Sequence, residues 1–216
     1  ATVVIVMMMV GVFFLAGAPP TQFLIMLGAI VTGIVFLILF EPYRFQRLIS
    51  FTDPWADPLG VGYQLSNALM AFGRGEWFGT GLGHSVQKLS YLPEAHTDFI
   101  FAVIGEELGL IGTLFILALL GTLIYCSLRI AMRSSDSFTR FACAGIASWV
   151  AIQTILNIGS AVSLLPVVGV TLPLLSYGGS ALIATYLGIA FIASSALRDP
   201  EIKLEVKNFL ARRLHR

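Results

Sequence analysis

"EAHTDFIFAVIGEELG", residues 94–109, sets the question on which the fold turns. A histidine, a threonine and an aspartate give way to a run apolar enough for lipid, yet Glu106 and Glu107 stand side by side inside it. An unpaired carboxylate in hydrocarbon is costly. The pair is therefore either satisfied by hydroxyls or protonation, or kept for function.

The surrounding composition decides for a membrane. Of 216 residues, 57% are hydrophobic and 12% charged, with a mean hydropathy of +0.88. A water-soluble domain cannot enclose that apolar share. The formal net charge of +1 carries no signal for nucleic acid, and none is expected as a partner. Crossing a bilayer takes about 20 apolar residues. Five stretches qualify, roughly 2–17, 22–40, 99–128, 141–160 and 180–197. The expected fold is an all-α polytopic membrane protein. Its first residues, "ATVVIVMMMV", are already apolar and read as a piece of a longer protein.

Arg129, Arg133 and Arg140 lie between the third and fourth stretches, and Arg198, Lys203, Lys207, Arg212, Arg213 and Arg216 follow the fifth. The positive-inside rule places both regions in the cytoplasm. Loops 41–98 and 161–179 then face outward. Cys126 and Cys143, flanking the basic loop, are expected to stay reduced there.

Loop 41–98 is too long for a mere connection. "DPWADP" (53–58) is a turn with Trp55 suited to the headgroup layer, and "YQLSNALMAF" (63–72) is a short amphipathic helix expected to lie in the interface, with Leu65, Leu69 and Phe72 on one face. "GRGEWFGTGLG" (73–83) is glycine-rich and lets backbone approach a ligand. Loop 161–179 is apolar but broken by Pro166, Gly169, Pro173, Gly178 and Gly179, the pattern of a re-entrant segment packed on protein. Ser180 is placed to cap the last helix, and the Gly178–Gly179–Ser180 amides form a positive end suited to an anion.

With a helix starting near Thr97 and about 100° per residue, Asp98 shares a stripe with Ala102, Gly105, Gly109 and Gly112. That stripe lets membrane helices approach closely and points Asp98 into the bundle. Glu106 flanks it and Glu107 lies opposite. No basic residue falls within a long apolar run, so cationic partners for these acids are expected from outside this chain. A transporter, an enzyme acting on a lipid-linked substrate and a docking scaffold all fit this pattern.

"AFGRGEWFGTGLGHSVQKLSYLPEAHTDFIFAVIGEELG" (71–109), "EPYRFQRLISFTDPWADPLGVGYQL" (41–65) and "LPVVGVTLPLLSYGGSAL" (165–182) resemble the SEDS family (shape, elongation, division and sporulation), nearer its division members than its elongation members. The likeness covers the whole chain but about the last half of a ten-helix family member. It implies a glycosyltransferase that polymerises lipid II at the outer face of the bacterial cytoplasmic membrane, at the division septum. The family's essential aspartate falls on Asp98. With that chemistry, Arg74, Lys88, His96, Glu106, Ser176, Gly178, Gly179 and Ser180 become candidates for substrate binding. A divalent cation, Mg or Mn, is a candidate for the departing diphosphate. Expected partners are lipid II, membrane lipid, a class B penicillin-binding protein and other divisome membrane proteins. A lipid II flippase and a non-catalytic divisome scaffold are the alternatives.

The orientation is testable. Gly60→Cys should react with an impermeant thiol reagent applied from outside and Ser135→Cys should not. Equal labelling of the two would overturn the assignment.

Overall fold

Helices form over the apolar runs and stop where proline, glycine or a polar cluster intervenes. The computed structural model describes residues 2–15, 17, 19–40, 51–60, 62–88 and 92–199. Among them lie six helices and no strand: α1 (Thr2–Leu15), α2 (Pro20–Phe40), α3 (Tyr63–Gly75), α4 (Ile100–Arg133), α5 (Ser137–Ala161) and α6 (Gly179–Arg198). The expected all-α membrane architecture is the one observed. By length and composition α4, α5 and α6 can each cross a membrane, while the apolar cores of α1 and α2 are shorter among the described residues. Large side chains such as Phe115, Leu119, Ile183 and Leu187 are exposed on the long helices, a surface suited to lipid rather than water. Residues 41–50 of the outward loop and 200–216 of the basic tail lie outside the described residues.

The basic connection expected over 128–140 is shorter, because α4 continues to Arg133 and α5 begins at Ser137. Asp136 caps α5, accepting from the Thr139 hydroxyl at 2.7 Å and the Thr139 amide at 2.8 Å. Those bonds hold its carboxyl below the usual carboxylate range. Asp199, just after α6, accepts from the Ser135 amide at 3.0 Å, so the end of α6 meets the same turn. Cys126 and Cys143 are both free.

The third span is not a continuous helix. At Gly109 the backbone takes φ 66 and ψ −166, and the ladder breaks. Regular α geometry would pair the Leu110 amide with the Glu106 carbonyl and the Ile111 amide with the Glu107 carbonyl. Instead the glycine-rich segment 76–81 enters the break and takes all four groups. Thr80 and Gly81 amides donate to the Glu106 and Glu107 carbonyls at 2.9 and 3.0 Å. Leu110 and Ile111 amides donate to the Glu76 and Trp77 carbonyls at 2.9 and 3.2 Å. Only glycine fits at the crossing: a Cβ on Gly109 would overlap Gly79 and Trp77 backbone, and one on Gly79 would overlap the Glu107 carbonyl. The helical stripe computed from Asp98 therefore does not extend to Gly112.

The same segment answers the two acids. Glu106 is fully buried and accepts from the Ser85 hydroxyl at 2.5 Å and from the Val86 and Gln87 amides at 3.2 and 3.3 Å. Arg74 Nε stands 3.7 Å away. Glu107 accepts from Lys88 Nζ at 2.6 Å and the Ser85 amide at 3.3 Å. The expectation that cationic partners come from outside this chain is thus corrected: Arg74, at the end of α3, and Lys88, beyond the inserted segment, both reach the acids.

α3 packs on α4 through Ala68, Ala71 and Gly75, with Gly75 so close to the Gly105 carbonyl that a Cβ would overlap it. Phe72 lies across Gly105 and meets the Phe101 ring at a tilt of 58° with centroids 5.8 Å apart, whereas Leu69 is only half-buried. Small residues let the helix dock closely on α4.

Gly109→Ala combines left-handed backbone strain, about 1–3 kcal/mol, with a backbone overlap, and should lower the melting temperature of the purified protein sharply. Glu106→Gln leaves buried donors facing an amide group and should cost about 1–3 kcal/mol or more. Arg74→Ala, half-exposed in a long pair, should stay within about 1 kcal/mol of wild type. Equal melting of the Glu106 and Arg74 variants would contradict the buried clamp.

Candidate functional site

Asp98 lies on a turn, not on a helix. Glu94 takes φ 55, and its carbonyl accepts from the Thr97, Asp98 and Phe99 amides at 3.1, 3.1 and 3.3 Å. α4 starts only at Ile100, so the helical angle assigned to Asp98 does not apply. The reason is that the turn's next carbonyls are claimed from outside. His96 O accepts from the Tyr177 amide at 2.8 Å, Thr97 O from the Ser176 hydroxyl at 2.5 Å, and Asp98 O from the Asn157 side-chain amide at 2.8 Å.

All three donors come from α5 or from the non-helical segment 162–178 that follows it. That segment keeps its own backbone satisfied by protein, as a re-entrant segment must. Leu164 and Leu165 amides donate to Gly159 O, the Leu172 amide to the Ser176 hydroxyl, and Asn157 also donates to Val170 O. Gly169, at φ +68, passes the Asp98 carboxylate so closely that a Cβ there would lie 3.3 Å from Oδ2. The carboxylate itself is half-buried.

A cavity of about 380 Å³ opens beside the turn, lined by His96, Ile100, Leu175, Ser176, Tyr177 and Leu182. Tyr177 leads into Gly178 and the start of α6. The helix begins with Gly178 at its N-cap and no side-chain cap bond. Ser180 is therefore not the cap, because it already sits inside the first helical turn. Gly179 and Ser180 are exposed, and the amide end of α6 carries partial positive charge.

The candidates fall into two groups. His96 and Ser176 line the cavity, Asp98 lies on the turn beside them against Gly169, and the Gly178–Ser180 turn follows the cavity-lining Tyr177. Arg74, Lys88 and Glu106 gather instead at the α4 break, where Lys88 and Glu106 hold the loop. Sequence reasoning missed Asn157 and Ser85. A lone asparagine inside the apolar α5 was the available signal for the first; nothing local marks the second.

Among the described residues, no three His, Cys, Asp or Glu side chains cluster in a way that could hold a metal ion.

Residues 1–199 match the family FTSW_RODA_SPOVE, described as cell cycle protein. The chain is 61% identical over 195 residues to the "Probable peptidoglycan glycosyltransferase FtsW" of Acinetobacter baylyi, covering 89% of this chain and 49% of that protein. It is 51% identical over 185 residues to the protein of the same name from Tolumonas auensis, covering 84% and 48%. The chain spans about half the length of these curated relatives. Among solved structures it resembles a chain from work on polymerization and crosslinking by a peptidoglycan synthase complex, with a TM-score of 0.69 and 30% identity over 88% of this chain and 53% of that one. It also resembles the rod shape determining protein RodA of Thermus thermophilus, with a TM-score of 0.56 and 27% identity, covering 90% and 49%. On its fold, its motifs and these likenesses, the chain belongs to the FTSW_RODA_SPOVE family of cell cycle proteins, the SEDS family.

Proposed function

We propose that the protein carrying this chain is a peptidoglycan glycosyltransferase that polymerises lipid II during septal wall synthesis in the bacterial cytoplasmic membrane. The observation that supports it most is the half-buried Asp98 carboxylate on a turn fastened to the cavity-lining loop, in a chain 61% identical to a protein named for that activity.

The donor is a sugar joined through an α-linked diphosphate to a polyprenyl chain, and the product linkage is β. Asp98 takes the proton of the acceptor 4-hydroxyl as that oxygen attacks the anomeric carbon. A new C–O bond forms on one face while the bond to the diphosphate breaks on the other, and the polyprenyl diphosphate leaves with both electrons. A diphosphate is a stable anion and needs no general acid, so one carboxylate suffices. The amide end of α6 at Gly178, Gly179 and Ser180 is the site for that anion. His96 and Ser176 line the adjoining cavity, where the sugar binds. Arg74 keeps a half-exposed guanidinium for phosphate, whereas Lys88 is engaged by Glu107 and serves the loop. A divalent cation, if the reaction uses one, would bring its charge to the diphosphate. The likeness to a synthase complex supports a class B penicillin-binding protein, and with it other divisome proteins, as partners.

Asp98→Asn is nearly isosteric but cannot accept a proton. In the full-length protein with its partner, polymer yield from purified lipid II should fall about 10²–10⁴-fold or more, with protein level and partner binding kept. Near-wild-type polymer from this variant would leave Asp98 as a turn residue. Wild-type protein that moves lipid II across liposomes without polymerising it would assign the chain to transport.

A further inference from the structure

We propose that Asn157 is a positioning residue for the Asp98 carboxylate, an inference that rests on Asp98 acting as the base. Asn157 lies on α5 and is only 1% exposed. Its side-chain nitrogen donates to Asp98 O at 2.8 Å and to Val170 O at 2.6 Å. One amide therefore joins three segments: a membrane helix, the turn that carries the acid and the loop that passes it. The position of Val170 matters, because its neighbour Gly169 is the residue that runs against Asp98 Oδ2. Fixing both carbonyls fixes the peptide from which the carboxylate projects and the backbone on its flank.

Packing alone does not account for an asparagine here. Among the described residues its Oδ1 is buried and meets no hydrogen-bond donor. A buried polar atom left in that state is destabilising, and a leucine of similar shape would avoid it. What the asparagine supplies is two N–H donors in a fixed fork, both aimed at the segments around Asp98. The other two carbonyls of the turn are held by Tyr177 and Ser176 from the loop itself. Asn157 ties the Asp98 peptide to a spanning helix. A reacting group displaced by about 1 Å can lose on the order of 10² in rate without loss of substrate affinity.

The test uses the full-length protein with its partner and purified lipid II, with membrane level and melting temperature measured beside the kinetics. Asn157→Leu removes both donors and the unbonded acceptor. It should accumulate, lower kcat about 10–100-fold and leave KM for lipid II within about two-fold. Asn157→Asp keeps the shape and, protonated by its burial, restores one donor; its kcat should fall between those of Asn157→Leu and wild type. Should the leucine variant fail to accumulate, the aspartate variant decides alone. Wild-type kcat per folded molecule in either variant overturns the inference, as does a rise in KM at unchanged kcat. Asp98→Asn, run in parallel, separates the two claims. If it loses activity while the Asn157 variants keep theirs, only the positioning role fails. If it stays active, the reading of Asp98 fails first.

Discussion

The break in α4 at Gly109 is the constraint from which the rest of the structure follows. A spanning helix normally satisfies its own backbone, and interrupting it at membrane depth exposes two carbonyls and two amides that lipid cannot serve. Here segment 76–81 supplies a partner for each of the four. Such an exchange needs two backbones in contact, and this is why glycine stands at both Gly79 and Gly109. Once the segment is inserted, its continuation through Ser85, Val86 and Gln87 lies over Glu106 and Lys88 reaches Glu107. The docking of α3 through Gly75 and Gly105 then sets where the segment begins.

The first part of α4 is in this way held from two directions by two different devices. Loop 76–88 grips it at the break with backbone exchange and buried carboxylates. Segment 162–178, with Asn157 of α5, grips the turn before it by donating to three successive carbonyls. Three of the four acids of the opening stretch, Asp98, Glu106 and Glu107, accordingly have different work. Glu106 and Glu107 are surrounded by donors of the chain and hold the loop. Asp98 sits on the turn itself, half-buried, next to Thr97, whose carbonyl holds the cavity-lining Ser176.

Much of this was legible in the sequence. The apolar runs announced an all-α membrane fold, and Pro166, Gly169, Pro173 and Gly178 marked a segment too broken to span. Asp98 was picked out, though by a helical angle that the structure replaces with a turn. Periodicity failed at 97–112 because hydrogen-bond partners distant in sequence, at Thr80, Gly81, Asn157 and Ser176, outcompete the local ladder there. A helical wheel assumes that ladder. The partners of Glu106 and Glu107 escaped for the same reason: Arg74 and Lys88 were read as belonging to an outward loop, yet both reach the acids. Ser180 has the residue type of a cap, but the helix starts two residues earlier than a cap there requires, with Gly178 at its N-cap.

The central claim is that segment 76–88 is a fixed part of α4 and not a free glycine-rich loop at the membrane surface. Amide hydrogen exchange on the full-length protein in a bilayer tests it most directly, read over peptides spanning 76–88 and 106–111. The structure predicts that the Thr80, Gly81, Leu110 and Ile111 amides exchange slowly and together, since each completes the same four-bond exchange. Rapid exchange over 76–88, with 106–111 still protected, would mean that the helix closes its own ladder and would contradict the account.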